Sequence, residues 1–482
     1  LVAKVADAAL DGAQGNSGSI LAQFFQSLAD NLPNVARLKP RDLTTALAAA
    51  AAGARGALET PREGTIISVM DAVATAARGS LTNDFAEFLP IIRDHARKAL
   101  NATTDQLDEL RRAGVVDAGA HGFFSIIDAC ADFLDNGSIN AALVAEDDDE
   151  FIPGIAAHPI NQDLTYRYCT ECMVTNSTLK IPAFREELQP LGNSLVIAGS
   201  PRRMRIHIHC NNPEAVFNLA AQYGEVVKTK ADDMQIQERS LHQNNREIVI
   251  VTDSAADIPE SVMTELNIHM VPLRVQFGAE SHLDKTSMSP TEFREELNKN
   301  ISQPGTSQPT QGDLRRMFDF LGTHFAEVIS VHLGSKLSGT YQGAKTAAAR
   351  SDAARQITVL DSSNVSSGQG LLVARAGELA ASGIRGAELH QQIESARKSI
   401  RTFALVTDLT NAVKSGRVKP VLKLLANGLR ITPVLTNTRA GKIGVCGYIP
   451  GRFHMLKRFA RLVAKQMDTN KRWHIAIAAG DE

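Results

Sequence analysis

A short segment near the start of the 482-residue chain combines glycine with a hydroxyl side chain in a pattern that suits phosphate binding. It consists of Gly15, Asn16, Ser17 and Gly18, with a further glycine at position 12. The apolar spacing of residues 20–28 predicts a helix directly after it. Unpaired N–H groups and a partial positive charge at a helix start attract anions. Asn16 and Ser17 are also suitable N-caps, so an ordinary helix cap is the alternative interpretation.

A second pattern suits a metal ion. Strand alternation over residues 203–209 places Arg205, His207 and His209 on one face. Residues two apart on a strand are separated by ~6.6 Å, so both imidazoles could reach one ion. Cys169 could add a thiolate, and one Cys with two His suits zinc with an open fourth position. The alternative is a half-exposed strand that carries two histidines without a metal.

The elements that position these residues change along the chain. Residues 1–142 show helical periodicity with short loops, and this predicts an all-α helical bundle or barrel. The predicted helices cover residues 20–28, 43–58, 65–77, 84–99, 104–113 and 122–134. An acidic stretch at 146–150, followed by Pro153 and Gly154, predicts a linker.

The sequence after residue 154 predicts two α/β domains. Residues 155–238 form a small domain, with strands at 193–200 and 204–210 and a helix at 212–223. A polar run at 238–246 predicts a second linker. Residues 247–482 follow the βαβ rhythm of a mostly parallel sheet. Its predicted strands are 248–252, 328–331, 357–360 and 404–406, and a further strand is expected just before Gly480.

Composition narrows the classes of function. The net charge of −2 gives no reason to expect nucleic acid. No stretch approaches the ~18 apolar residues of a membrane span. Five scattered cysteines do not resemble a secreted disulfide framework, so we expect a reducing cytoplasm. The chain begins inside a helical pattern at Leu1, and we expect both of its ends to be cut from a longer protein.

Three segments of the helical region resemble the DhaL-like domain of bacterial fatty acid kinases, in the same order. They are the Gly-Asn-Ser-Gly element, the Glu-Gly-Thr-Ile helix start at 63–66 and the Asp-Ala-Gly-containing loop at 116–122. The resemblance implies a barrel of antiparallel helices with ATP at one end. The implied nucleotide-binding residues are Gly15, Asn16, Ser17, Gly18, Gly64, Thr65, Asp117, Gly119 and Gly122. The family's Mg²⁺ ligands lie in an upstream aspartate loop, so we expect residues 1–482 alone to be catalytically inactive.

The other two regions resemble proteins of related function. Residues 168–171, 207–213 and 233–237 resemble the middle domain of the same kinases, which implies Zn²⁺ on Cys169, His207 and His209. Motifs from about residue 247 to the end resemble the DegV family, whose members enclose one fatty acid in an apolar tunnel. The implied head-group residues are Thr306, Ser307, Ser338 and Gly339. Hydroxyl donors would offset the lost hydration of the buried carboxylate.

Together these patterns predict a fused fatty acid kinase, which transfers the γ-phosphate of ATP to a long-chain fatty acid bound by the DegV-like domain. A homodimer is a further hypothesis. Two alternatives stay open: a non-catalytic fatty-acid-binding or lipid-trafficking protein, and a dihydroxyacetone-type kinase. The second alternative is disfavoured because the chain has no recognisable histidine for covalent capture of the triose.

Overall fold

The computed structural model describes residues 1–480 except 36, 137–164, 178–180, 243–246, 279, 300–302, 439, 440 and 452. The chain divides into two compact units, Leu1–Met234 and Gln235–Glu482. The acidic linker predicted at 146–154, and the domain boundaries predicted at 142 and 155, lie outside the described residues. Among the described helices, none is long and apolar enough to cross a membrane.

The first unit begins with helices, as the periodicity predicts. They are α1 (Val2–Gly12), α2 (Gly15–Asn31), α3 (Pro40–Ala57), α4 (Ile66–Gly79), α5 (Phe85–Gln106), α6 (Asp108–Ala113) and α7 (Ala118–Asn136). Two details of the prediction are wrong. Helix α2 already includes Asn16 and Ser17, so neither is its N-cap. Helix α5 runs through Thr104 to Gln106, because its buried face continues to Leu100 and Thr103.

A four-stranded antiparallel sheet completes this unit. Its elements are β1 (Tyr168–Thr175), α8 (Ile181–Leu188), β2 (Gly192–Ser200), β3 (Arg203–Cys210), α9 (Pro213–Ala221) and β4 (Glu225–Asp233). The strand order is β2-β3-β1-β4. The predictions of β2, β3 and α9 are confirmed, but β1 and β4 carry charged residues and were not predicted as strands. Both faces of β3 are buried, so the half-exposed strand of the alternative interpretation is wrong.

Helices and sheet of the first unit share buried apolar residues. Leu10 of α1 and Ala22 of α2 pack with Met173 of β1 and Ala198 of β2. The amide of Gly199 donates a hydrogen bond of 2.6 Å to the Gln23 side chain. These contacts fix α2 against the sheet.

The second unit is built on a parallel sheet with strand order β11-β10-β5-β6. Its strands are β5 (Ile248–Asp253), β6 (Ile268–Val271), β10 (Glu327–His332) and β11 (Ile357–Asp361). Its helices are α10 (Met234–His242), α11 (Glu260–Glu265), α12 (Pro290–Lys299), α13 (Gln311–Gly322), α14 (Thr340–Ala349), α15 (Ser366–Ala381), α16 (Gly386–Ser399), α17 (Thr410–Lys414), α18 (Pro420–Gly428) and α19 (Met455–Ala464). Separate apolar clusters cover the two faces of this sheet, as expected for a buried parallel sheet.

The second unit also contains two small antiparallel sheets, which correct the prediction. One contains β7 (Arg274–Phe277), β8 (Glu280–Leu283) and β9 (Pro304–Ser307), and the other β12 (Phe403–Leu405), β13 (Ile431–Asn437) and β14 (Ile443–Pro450). The segment predicted at 404–406 therefore belongs to an antiparallel sheet, because β12 pairs with β13. Part of the predicted linker at 238–246 is helical in α10. The strand expected before Gly480 is irregular, since no described strand pairs with it.

Candidate functional site

The first turn of α2 lies against the first turn of α7. Gly15 has φ of 60°, a conformation that favours glycine, and starts α2. A Cβ atom added to Gly119 would lie 2.7 Å from Ser17 Oγ. The structure therefore brings together two predicted nucleotide-binding elements that are about 100 residues apart. A Cβ on Gly18 would lie 3.3 Å from the Ala13 backbone, so Gly18 allows a close turn.

Asp117 joins the third predicted element to the helix start at residues 63–66. Its Oδ1 accepts a hydrogen bond of 2.7 Å from the Ala120 amide. Burial raises the pKa of Asp117, while backbone hydrogen bonds from Ala120 and from Ile66, at the start of α4, oppose this shift. Thr65 and Gly64 immediately precede Ile66, and Gly64 has φ of 82°.

Two more predicted nucleotide-binding residues lie at these helix starts. Asn16 has a buried side-chain oxygen with no hydrogen-bond partner among the described residues. Gly122 is exposed on α7, and an added Cβ there would meet nothing within 4 Å. Backbone amides and a hydroxyl thus converge at one end of the helices, a composition that suits a nucleotide phosphate, and the Asn16 amide oxygen adds an unpaired acceptor.

The predicted metal ligands form one cluster. Cys169, His207 and His209 each offer a ligand atom, and these atoms lie within 4.8 Å of one another. The antiparallel register of β1 and β3 pairs Cys169 directly with His209. His207 is 1% exposed, and its Nε2 atom is buried without a hydrogen-bond partner among the described residues. One thiolate and two imidazoles with an unpaired ring nitrogen fit a zinc ion.

Glu171 is a central residue of this region that the sequence analysis did not assign. Its side chain is 1% exposed and forms an ion pair with Arg205. Glu171 Oε1 accepts a hydrogen bond of 2.9 Å from the Gly15 amide and lies 3.2 Å from His207 Nδ1. Burial raises the pKa of Glu171, but the His207 hydrogen bond and the charges of Lys230, His207 and Arg205 outweigh it and hold the pKa far below its usual range.

The predicted fatty-acid residues lie on two turns of the second unit. Ser338 Oγ is 2.9 Å from Thr340 Oγ1, next to Gly339 at the N-cap of α14. Thr306 and Ser307 end strand β9. A Cβ atom added to Gly339 would lie 2.7 Å from the side-chain oxygen of Gln308, so the two turns are neighbours.

Arg417 supplies a positive charge to these turns. Its guanidinium donates a hydrogen bond of 3.3 Å to Thr306 Oγ1, across 111 residues of sequence. The sequence analysis gave Arg417 no role. Two hydroxyl turns, a helix start and a guanidinium are suited to an anionic head group.

A buried network of hydrogen-bonded side chains lies just before the Ser338 turn. His332 Nδ1 is 2.9 Å from Asp253 Oδ2, and His332 Nε2 is 2.6 Å from Ser330 Oγ. The Leu333 amide also donates to Asp253 Oδ2, at 2.8 Å. Asp253, Ser330 and His332 are all fully buried. These hydrogen bonds therefore fix the start of the segment that carries Ser338, and they do not present a nucleophile to solvent.

Comparison with known proteins assigns each region to a family. The model of the DAK2 domain matches residues 1–132. The model of the FakA-like middle domain of fatty acid kinases matches residues 165–241, and that of the uncharacterised DegV family matches residues 247–482. The protein thus combines a DAK2 domain, a FakA-like middle domain and a DegV domain, in that order. The recognition of this arrangement and the predicted fold class are confirmed.

Individual relatives match part of the chain. An uncharacterised protein of Staphylococcus aureus strain USA300 is 31% identical over 243 residues, which cover 48% of this chain and 44% of the relative. A protein of strain NCTC 8325 matches to the same extent. The chain thus matches less than half the length of these relatives.

Among solved structures, DegV of Bacillus subtilis, described as a fatty acid binding protein, is 30% identical and has a TM-score of 0.41. This match covers 46% of this chain and 78% of that protein. A DegV family protein of Thermus thermophilus is 30% identical with a TM-score of 0.40, and the match covers 45% of this chain and 78% of that protein.

Proposed function

We propose that this chain forms the nucleotide-binding, metal-binding and lipid-binding parts of a kinase that phosphorylates a fatty acid. The observation that carries the proposal is the convergence of the α2, α4 and α7 starts, through Ser17, Gly119, Asp117 and Ile66. Their hydrogen-bond donors suit ATP phosphates, and the family of the middle domain supports a fatty acid as the acceptor. We further propose that the protein acts in the cytoplasm and feeds phospholipid metabolism.

In the proposed reaction, a carboxylate oxygen of the fatty acid attacks the γ-phosphorus of ATP. The bond from this phosphorus to the β–γ bridging oxygen breaks, so that ADP leaves and an acyl phosphate forms. The first-turn amides of α2 would hold phosphate oxygens, and Mg²⁺ would neutralise their charge. Ser338, Thr306, Ser307 and the amide at Gly339 would hold the fatty acid carboxylate, with Arg417 as a further donor.

The cluster of Cys169, His207 and His209 is proposed to hold Zn²⁺. A bound zinc ion can polarise an oxygen ligand in its open position. The unpaired Nε2 of His207 supports this assignment. His207 is buried, whereas Cys169 and His209 are half-buried, so the cluster is partly accessible.

Binding measurements with the purified chain test the proposal without depending on turnover. A fluorescent ATP analogue reports nucleotide binding, and native mass spectrometry with added oleate reports fatty acid binding. The kinase proposal requires that the chain binds both ligands. Asp117→Asn should weaken only the nucleotide, whereas Ser338→Ala should weaken only the fatty acid.

The same two measurements separate the alternatives. Fatty acid binding without nucleotide binding would favour the lipid-carrier interpretation. Nucleotide binding without any fatty acid binding would favour a dihydroxyacetone-type kinase. If neither ligand binds, the proposed function is wrong.

A further inference from the structure

The side chain of Glu171 in the sheet contacts both the metal cluster and the start of α2. On β1 it is paired with His207 of β3 on one side and with Lys230 of β4 on the other. Its side chain is 1% exposed. A carboxylate buried to this extent needs charged partners and hydrogen bonds to offset its lost hydration.

The partners of Glu171 divide between two sites. On the metal side, Oε1 is 3.2 Å from His207 Nδ1 and 4.0 Å from Cys169 Sγ. On the nucleotide side, the same oxygen accepts the hydrogen bond of 2.9 Å from the Gly15 amide. Arg205 and Lys230 hold the carboxylate between them, with Lys230 Nζ 3.6 Å from Oε1.

The contact with His207 orients the imidazole. Histidines that bind metals usually bond a carboxylate through one ring nitrogen, and this bond directs the other nitrogen to the ion. Here Nδ1 is 3.2 Å from Glu171 Oε1 and 3.8 Å from Cys169 Sγ, while the buried Nε2 has no partner in the described part of the chain. Glu171 therefore holds the ring nitrogen of His207 that lies next to Cys169, and with it the orientation of the imidazole.

The contact with Gly15 fixes the first turn of α2. The Gly15 amide is among the first N–H groups of the helix, which have no partner inside it. With this amide anchored to Glu171, the following residues are held next to Gly119 of α7. A shift of Glu171 would thus move the turn in which Ser17 and Gly18 lie.

We propose that Glu171 is a positioning residue that couples metal occupancy of the Cys169–His207–His209 cluster to nucleotide binding at the start of α2. The inference rests on the proposed function, because it requires both sites to bind their ligands. A metal ion draws His207 into a fixed orientation, and this fixes the carboxylate that bonds Gly15. Since coupling between two sites is reciprocal, nucleotide must change zinc affinity by the same factor by which zinc changes nucleotide affinity.

The experiment measures, in the full chain, the factor by which zinc changes nucleotide affinity and nucleotide changes zinc affinity. Nucleotide affinity is titrated with a fluorescent ATP analogue for the zinc-loaded and the chelator-stripped protein. Zinc affinity is measured by competition with a chromophoric chelator, with and without nucleotide. We expect about a tenfold change in both directions for the unmodified protein, within the usual range of such couplings.

Variants assign the coupling to Glu171. Glu171→Gln should reduce the factor to about one and weaken zinc binding about tenfold or more. Asp11→Asn is the matched control, because it removes the ion pairs of Asp11 with Arg203 and Lys228 but no contact with Gly15 or the cluster. The Asp11→Asn variant should keep the full coupling factor between zinc and nucleotide. Circular dichroism checks that each variant is folded, and Glu171→Asp keeps the charge between Arg205 and Lys230 if the glutamine variant unfolds.

The outcomes separate the inference from the proposed function. If zinc and nucleotide both bind but neither affects the other, the role of Glu171 is refuted and the proposed function stands. An undiminished factor in both folded Glu171 variants also refutes it. If the cluster binds no zinc or the chain binds no nucleotide, the corresponding part of the proposed function fails, and the inference fails with it.

Discussion

Gly119→Ala offers a direct test of the convergence of helix starts on which the proposed function depends. The added Cβ would lie 2.7 Å from Ser17 Oγ and 3.1 Å from Ser17 Cβ. Normal contacts of carbon atoms begin near 3.5 Å, so Ser17 must rotate or the two helix starts must separate by roughly 0.5 Å. Overpacking of this kind costs about 1–3 kcal/mol. We expect nucleotide to bind about tenfold more weakly, equivalent to about 1.4 kcal/mol.

The matched control is Gly56→Ala. Gly56 also lies in a helix, α3, but an added Cβ there would meet nothing within 4 Å. Alanine favours a helix over glycine by about 0.5–1 kcal/mol, so this variant should be slightly more stable in urea unfolding. Its nucleotide affinity should be unchanged. The comparison separates a general effect of glycine replacement from the specific contact with Ser17.

A double-mutant cycle identifies the clashing partner. Ser17→Ala removes the oxygen nearest to the new methyl group, so Gly119→Ala should be less harmful in that background. Titration of a fluorescent ATP analogue into the four proteins gives the interaction energy. The reasoning is refuted if Gly119→Ala leaves nucleotide affinity unchanged, or if its effect is the same with and without the Ser17 hydroxyl.

Three further predictions concern the other sites. The double variant His207→Ala, His209→Ala should lose its zinc in elemental analysis, and unchanged zinc content would contradict the metal assignment. Ser338→Ala should weaken fatty acid binding by one to two decades, since a hydrogen bond to a charged group contributes about 1.5–3 kcal/mol; an unchanged affinity in titration would exclude this role. Burial lowers the pKa of His269 from 6.5 to about 4. Between these two pH values the unfolded state binds more protons than the folded state, so the second unit should lose up to about 3 kcal/mol of stability as pH falls from 6.5 to 4. Urea unfolding at several pH values measures this loss, which should be much smaller in His269→Gln.

The sequence determined the local features of this protein. Helical periodicity located α2 to α7, because the apolar residues of an amphipathic helix recur every three to four positions. Alternation on β3 correctly placed His207 and His209 on the same face, and their ring centroids are 5.1 Å apart. The order of the three domains also followed from short motifs. These features need no knowledge of distant residues.

The tertiary structure decided which distant residues meet. Glu171 contacts Gly15 across 156 residues, and Arg417 contacts Thr306 across 111. No periodicity covers such distances, because the strand order β2-β3-β1-β4 places β1 at the interior of the sheet regardless of its place in the sequence. The charged residue of β1, Glu171, made the strand hard to predict, because its burial depends on ion pairs with β3 and β4. Spacing could therefore suggest candidate residues for each site, but only the packing of α2 on the sheet shows that two of the candidate sites share one carboxylate.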